Sequence, residues 1–123
     1  GLDGLRCVWT GRPLGAFEVD HLIPFSLWFN SELWNLLPAA RSVNLAKKDR
    51  LVSRPTLLGS RDRIIDYWRF LRGTNAKRFE LEIGRSLLGR SPVGASWEML
   101  AFCGLSEAIE TIALQRGVER WSA

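Results

Sequence analysis

The first fifty-five residues are cut into short pieces by turn chemistry while the remainder is not, and this contrast constrains the fold more than any other feature. "TGRPLG" separates two short extended pieces, "LRCVW" and "AFEVDHLI", the second rich in strand formers. After "IPFSLWFNSELW" comes "NLLPA", a brief apolar piece that Pro38 ends or places at a sheet edge. "ARSVNLAKKDRL" has helical composition, and "VSRPT" is expected to stop it. The reading is two or three short strands followed by one short helix. Beyond it, "SRDRIIDYWRFLRG" places Ile64, Ile65, Trp68 and Leu71 at helical spacing, with Asp62 in the first turn and Gly73 at the stop. "TNAKRFELEIGRSLLG" is two-sided: Phe79, Leu81 and Ile83 alternate as in a strand, whereas Phe79, Ile83 and Leu87 step by four. Its length and Gly89 favour helix. "SWEMLAFCGLSEAIETIALQRGVERW" carries Leu105, Ala108, Ile109, Ile112 and Ala113 on one face, with a break expected near Gly104. The second half thus reads as helical packing for the first, with the tryptophans as core or interface filler.

A chain of 123 residues fits one domain that can bury a core without disulfides. No run of about eighteen apolar residues supplies a membrane span. The start at Gly1, without a basic-plus-apolar leader and with Met99 as sole methionine, leads us to expect a piece excised from a larger protein. Cys7 and Cys103 stand apart and form no CxxC, the pattern of a reduced, cytoplasmic protein. The net charge of +4 is concentrated between Arg41 and Arg54, where Arg41, Lys47, Lys48, Arg50 and Arg54 face Asp49 alone. Taken by itself, such a run is either a solvated helix face or a phosphate-binding surface.

Chemistry centres on "EVDHLIPFS", which holds the only histidine directly after an aspartate and just before a proline. One histidine excludes a multi-histidine zinc centre and any site that needs one imidazole as ligand and another as base. No G-x-S-x-G elbow is present, and both cysteines are expected to be buried and structural rather than nucleophilic. What remains is a hard-cation site of carboxylate and amide oxygens with His21 as base. The plainer reading is an Asp-His pair half exposed at a strand rim.

Asn35 follows His21 by fourteen residues, Asn44 by nine more and Lys47 by a further three. In "EVDHLIPFS", "LWNLLPA" and "RSVNLAKKDRL" the chain resembles the HNH endonucleases, whose ββα-metal fold carries a DHxxP…N…N pattern, including the HNH domains of RNA-guided CRISPR effectors and of restriction and homing enzymes. The resemblance covers about residues 5 to 52. It implies that Asp20 and Asn44 are metal ligands, that His21 is the general base, and that Asn35 completes the catalytic set by bracing the loop between the strands. Glu18 and Asp49 stand near enough to substitute as ligands. Many relatives brace the motif with two CxxC pairs around zinc. Here the four positions carry Cys7, Thr10, Ala40 and Val43, so no structural zinc is expected, with apolar packing by Val8, Ala40 and Val43 in its place.

The physical chemistry agrees with those roles. Magnesium takes oxygen ligands, keeps several waters, and so leaves positions for a phosphate. An imidazole with a pKa of about 6.5 can accept a proton from water at neutral pH. Successive strand residues face opposite ways, so Asp20 and His21 serve one substrate only where the strand ends or bends. On a helix from Arg41, residues 41, 44, 47 and 48 share a side, which would set Arg41, Lys47, Lys48 and, close by, Arg50 beside a nucleic-acid backbone.

The expectation is therefore an α+β domain over 1–123, with a ββα-metal core in 1–55 and a helical extension in 56–123. It would be a metal-dependent endonuclease using Mg2+, with Mn2+ or another divalent cation as substitute, and acting on DNA rather than RNA. No base-reading element is visible, so a larger targeting protein would supply specificity. The rival expectation is a nucleic-acid-binding or protein-interaction module that keeps the fold without turnover.

Overall fold

A computed structural model of the chain describes residues 4–92 and 94–123. "LRCVW" forms no named strand: it folds into a tight loop in which the Cys7 amide bonds to the Arg12 carbonyl and the Leu14 amide to the Leu5 carbonyl. Gly11 turns that loop at φ +74°, a left-handed conformation that favours glycine. The loop leans on the sheet through the Val8 amide, which donates to the Pro38 carbonyl at 2.9 Å.

β1 (Glu18–His21) pairs antiparallel with β2 (Leu36–Ala39), with Asp20 opposite Leu37 and His21 opposite Leu36. Because opposite residues share a face, Glu18, Asp20, Leu37 and Ala39 point one way and Val19, His21, Leu36 and Pro38 the other. Asp20, Leu37 and Ala39 are buried while Val19 is exposed, so the first set faces the interior. Pro38 is tolerated because, among the described residues, this sheet has two strands and both are edges.

α1 (Arg41–Lys47) follows β2 after one residue, and β3 (Leu51–Val52) follows α1. "VSRPT" does not merely stop α1. Ser53 caps α2 (Arg54–Thr74), its hydroxyl accepting from the Thr56 amide, and Pro55 occupies the first turn, where a missing N–H costs nothing. Gly73 lies within α2 rather than ending it. α3 (Ala76–Ile83) opens into a π-type turn over residues 84–88, closed by Gly89 in the left-handed region. α4 (Trp97–Arg116) runs unbroken through Gly104. There the glycine serves packing: a Cβ would collide with the Leu87 carbonyl oxygen. β4 (Arg120–Trp121) returns to pair in parallel with β3.

One hydrophobic cluster joins both halves, with Leu22, Ile23, Trp34 and Leu37 from the first and Leu57, Ile64, Trp68, Phe79, Ile83, Leu105 and Ile109 from the second. Trp9, Trp34, Trp68 and Trp97 lie in it, and Trp28 and Trp121 pack against it. Cys7 and Val8 are fully buried there, with Ala40 and Val43 partly buried beside them, whereas Cys103, expected to be buried, is exposed on α4. Among the described residues no helix is long and apolar enough to cross a membrane.

Candidate active site

β1 ends at His21, and the chain then loops through residues 22–35 before β2. Asn35 is buried and ties this loop to itself: its Oδ1 accepts from the Ile23 amide at 2.8 Å, and its Nδ2 donates to the carbonyls of Ile23 and Asn30 at 3.1 and 2.9 Å. An amide side chain suits the place because it offers an acceptor and two donors at once. The helical half holds the same loop from outside. Buried Glu32 accepts from Asn30, Trp34, Arg85 and Ser86. Glu82 accepts from the Leu33 amide at 2.8 Å, and Trp68 donates to the Trp34 carbonyl at 3.0 Å.

Ser31, carried by that loop, brings its hydroxyl within 3.1 Å of His21 Nε2. The imidazole is half-buried at the open end of β1, with the Phe25 ring 5.8 Å away. Burial pushes its pKa below the ordinary histidine value, against the pull of Asp20, and the Lys47 charge pushes the same way as burial. At neutral pH such a ring is uncharged and able to accept a proton.

Asp20 faces inward. Its Oδ2 accepts from Trp9 Nε1 at 2.8 Å and pairs with Lys47 Nζ at 3.1 Å. Lys47 also donates to the His21 carbonyl at 3.0 Å and is fully buried, its ammonium 5.6 Å from the Trp9 ring centroid. Burial lowers its pKa, and Asp20 opposes that shift. The expectation that Lys47 lies beside a phosphate backbone is therefore corrected: the i+3 step from Asn44 turns it toward β1, where a buried carboxylate needs a counter-charge. Arg50 is engaged with the end of the preceding helix. Its guanidinium donates to the carbonyls of Ala46 and Lys47 at the end of α1 and pairs with Glu119 at 3.2 Å. Those carbonyls lack helical partners, and a cation is favoured at a helix C-terminus. Of the four basic residues singled out, Arg41 and Lys48 are exposed and have no side-chain partner among the described residues.

Asn44 lies one turn before Lys47 and donates from Nδ2 to Glu18 Oε1 at 3.1 Å, which leaves its Oδ1 available. Glu18 is half-buried, two residues before Asp20 on the same strand face. The Glu18 carboxylate and the Asn44 amide thus meet between β1 and α1, with Asp20 two residues along the same strand face, and carboxylate and amide oxygens fit a hard divalent cation in kind. Asp20 already shares its charge with Lys47, so the solvent-facing carboxylate is Glu18. Asp49 is exposed. Among the described residues no three His, Cys, Asp or Glu side chains cluster as a metal site, so any cation held here would lean on the amide and on water.

Sequence reasoning did not find Ser31, Glu32 or the Trp9 contact. The signals present were a polar "NSE" inside an apolar loop and an indole at a position where burial needs a partner for its N–H.

Comparison with protein families matches residues 7–53 to the family described as HNH endonuclease. No curated protein matches the chain.

Proposed function

With residues 7–53 identified as an HNH endonuclease segment, we propose that the chain hydrolyses phosphodiester bonds of nucleic acid, DNA in preference to RNA, with the help of a divalent cation. The observation that supports this best is the sole imidazole at the open end of β1, half-buried and shifted toward its neutral form. On the opposite face of β1, the Asn44 amide meets the Glu18 carboxylate, with Asp20 two residues along that face. His21 acts as general base. In the tautomer that donates Nε2–H to the Ser31 hydroxyl, Nδ1 is free to take the proton of the water whose oxygen forms the new bond to phosphorus, as the bond to the leaving oxygen breaks. Asn44 Oδ1 and Asp20 are the assigned ligands, with Glu18 as the accessible carboxylate. Mg2+, or Mn2+ in its place, would when bound offset charge growing on the phosphate oxygens. Asn35 keeps the loop behind His21 in place, and Arg41 and Lys48 contact phosphates. Sequence choice falls to a larger targeting protein, since phosphate contacts alone specify no sequence.

Plasmid nicking with magnesium tests the reading. Wild type is expected to cut, and His21→Ala and Asn44→Ala to lose at least about 100-fold in rate. Equal cutting by wild type and His21→Ala would show that the base is elsewhere.

A second reading has one observation in its favour: Lys47 sits on Asp20 and already neutralises it. If that pairing persists with metal present, the chain is a nucleic-acid-binding module without turnover. It would then bind DNA in a salt-dependent way and leave it intact.

A further inference from the structure

The outer side of the hairpin and its loop expose aromatic rings that the core does not use. Phe29 is 81% exposed, Phe25 48% and the strand residue Val19 52%. Phe29 is not on a loose loop. The Leu27 and Trp28 amides both bond to the Pro24 carbonyl, and Trp28 packs on Trp34 with ring centroids 5.5 Å apart. The Phe25 ring stands 5.8 Å from the His21 imidazole, and Phe29 meets Phe25 nearly edge-on at 5.3 Å.

We propose that Phe29, braced edge-on by Phe25, is a stacking platform for an unpaired nucleobase beside the phosphate served by His21, so that the preferred substrate is single-stranded nucleic acid. This rests on the nuclease reading and deepens it. Two observations and one general property of nucleic acids carry it. The aromatic row is continuous with the candidate base, so whatever covers Phe29 lies next to the reacting phosphate, and the flat apolar parts of a nucleic acid are its bases. The basic run has less electrostatic grip than its sequence suggests, since Lys47 is buried on Asp20 and Arg50 pairs with Glu119, which leaves Arg41, Lys48 and Arg54 exposed, so contacts other than phosphates add to binding. A duplex keeps its base faces stacked inside, whereas every unpaired base presents a π-face to an aromatic side chain.

The test uses the whole chain with a single-stranded oligonucleotide carrying 2-aminopurine, in EDTA so that nothing is cut. Wild type is expected to quench the fluorescence on binding. Phe29→Ala should abolish the quench and weaken binding about 5- to 150-fold, Phe29→Trp should preserve both, and Phe29→Leu should not. Phe29 is exposed enough that none of these threatens folding. Unchanged affinity in Phe29→Ala, or full affinity in Phe29→Leu, would overturn the platform. So would a self-association of wild type that Phe29→Ala abolishes while oligonucleotide binding is untouched, since a second copy would then be the occupant. If wild type nicks DNA in a His21-dependent way while Phe29→Ala binds as wild type does, the platform fails and the nuclease reading stands. If wild type binds no nucleic acid, both fall.

Discussion

Lys47 and Lys48 are neighbours of the same type, and their fates differ completely. Lys47 is fully buried on Asp20, whereas Lys48, at the end of α1 with φ +56°, is exposed. Removing a buried charge strands its partner, while removing a solvated one strands nothing. Lys47→Met should therefore destabilise the protein by about 3–5 kcal/mol in urea unfolding, and Lys48→Ala by less than about 0.5 kcal/mol. Glu32 makes a comparable point in pH. Burial raises its pKa, but hydrogen bonds from Ser86, Asn30, Trp34 and Arg85 outweigh that and hold it below the ordinary carboxylate value of 4.5. A depressed folded value means that Glu32 contributes stability fully above the unfolded pKa and loses it as pH falls through the folded one. Urea midpoints of wild type should fall on acidification below pH ~4.5, and Glu32→Gln, less stable at neutral pH, should show a shallower decline over that window.

Among the elements, α4 and the π-type turn decide between two opposing effects at Gly104. Alanine in a helix interior is worth about 1 kcal/mol over glycine, and on that ground Gly104→Ala would stabilise. A Cβ there, however, meets the backbone oxygen of Leu87, which cannot rotate away as a flexible side chain could. Overpacking against backbone costs about 1–3 kcal/mol, so the net expectation is a lower melting temperature by a few degrees in thermal unfolding. Gly59, which has open space around it in α2, is the control: Gly59→Ala should raise the melting temperature.

For the molecule as a whole, the small hairpin-and-helix motif depends on the helical half and the C-terminal strand for its support. Tyr67 bonds to the Arg6 backbone, Arg63 donates to the carbonyls of Val8 and Trp9, and Glu82, Arg85 and Ser86 hold the loop behind His21. The C-terminus closes the other side. β4 pairs with β3, Arg120 donates to the Val52 carbonyl and pairs with Glu110, and the Ser53 amide that opens α2 bonds to the Trp121 carbonyl. A chain ending at residue 117 should consequently unfold at lower urea with a less cooperative transition, and residues 1–55 alone should show no cooperative thermal transition by circular dichroism.

Local chemistry was legible wherever a few adjacent residues settle the matter. Strand formers ending at a proline made β1, helical composition made α1, and apolar steps of three and four made α2 and α4. The placing of one histidine, one aspartate and two asparagines at set intervals carried the resemblance, and residues 7–53 match the family described as HNH endonuclease. Spacing says which residues share a face, but not what that face meets. Thus Lys47 read as a surface cation, although α1 turns it onto a buried carboxylate from a different strand. Gly104 read as a break, although a distant carbonyl fills the space that it leaves. The pairing of Leu51 with Arg120 and the grip of the π-type turn on Glu32 join segments far apart in the chain, and no local preference encodes them. Burial and the demand that every buried polar group find a partner are properties of the assembled core, which is why only tertiary structure decided them.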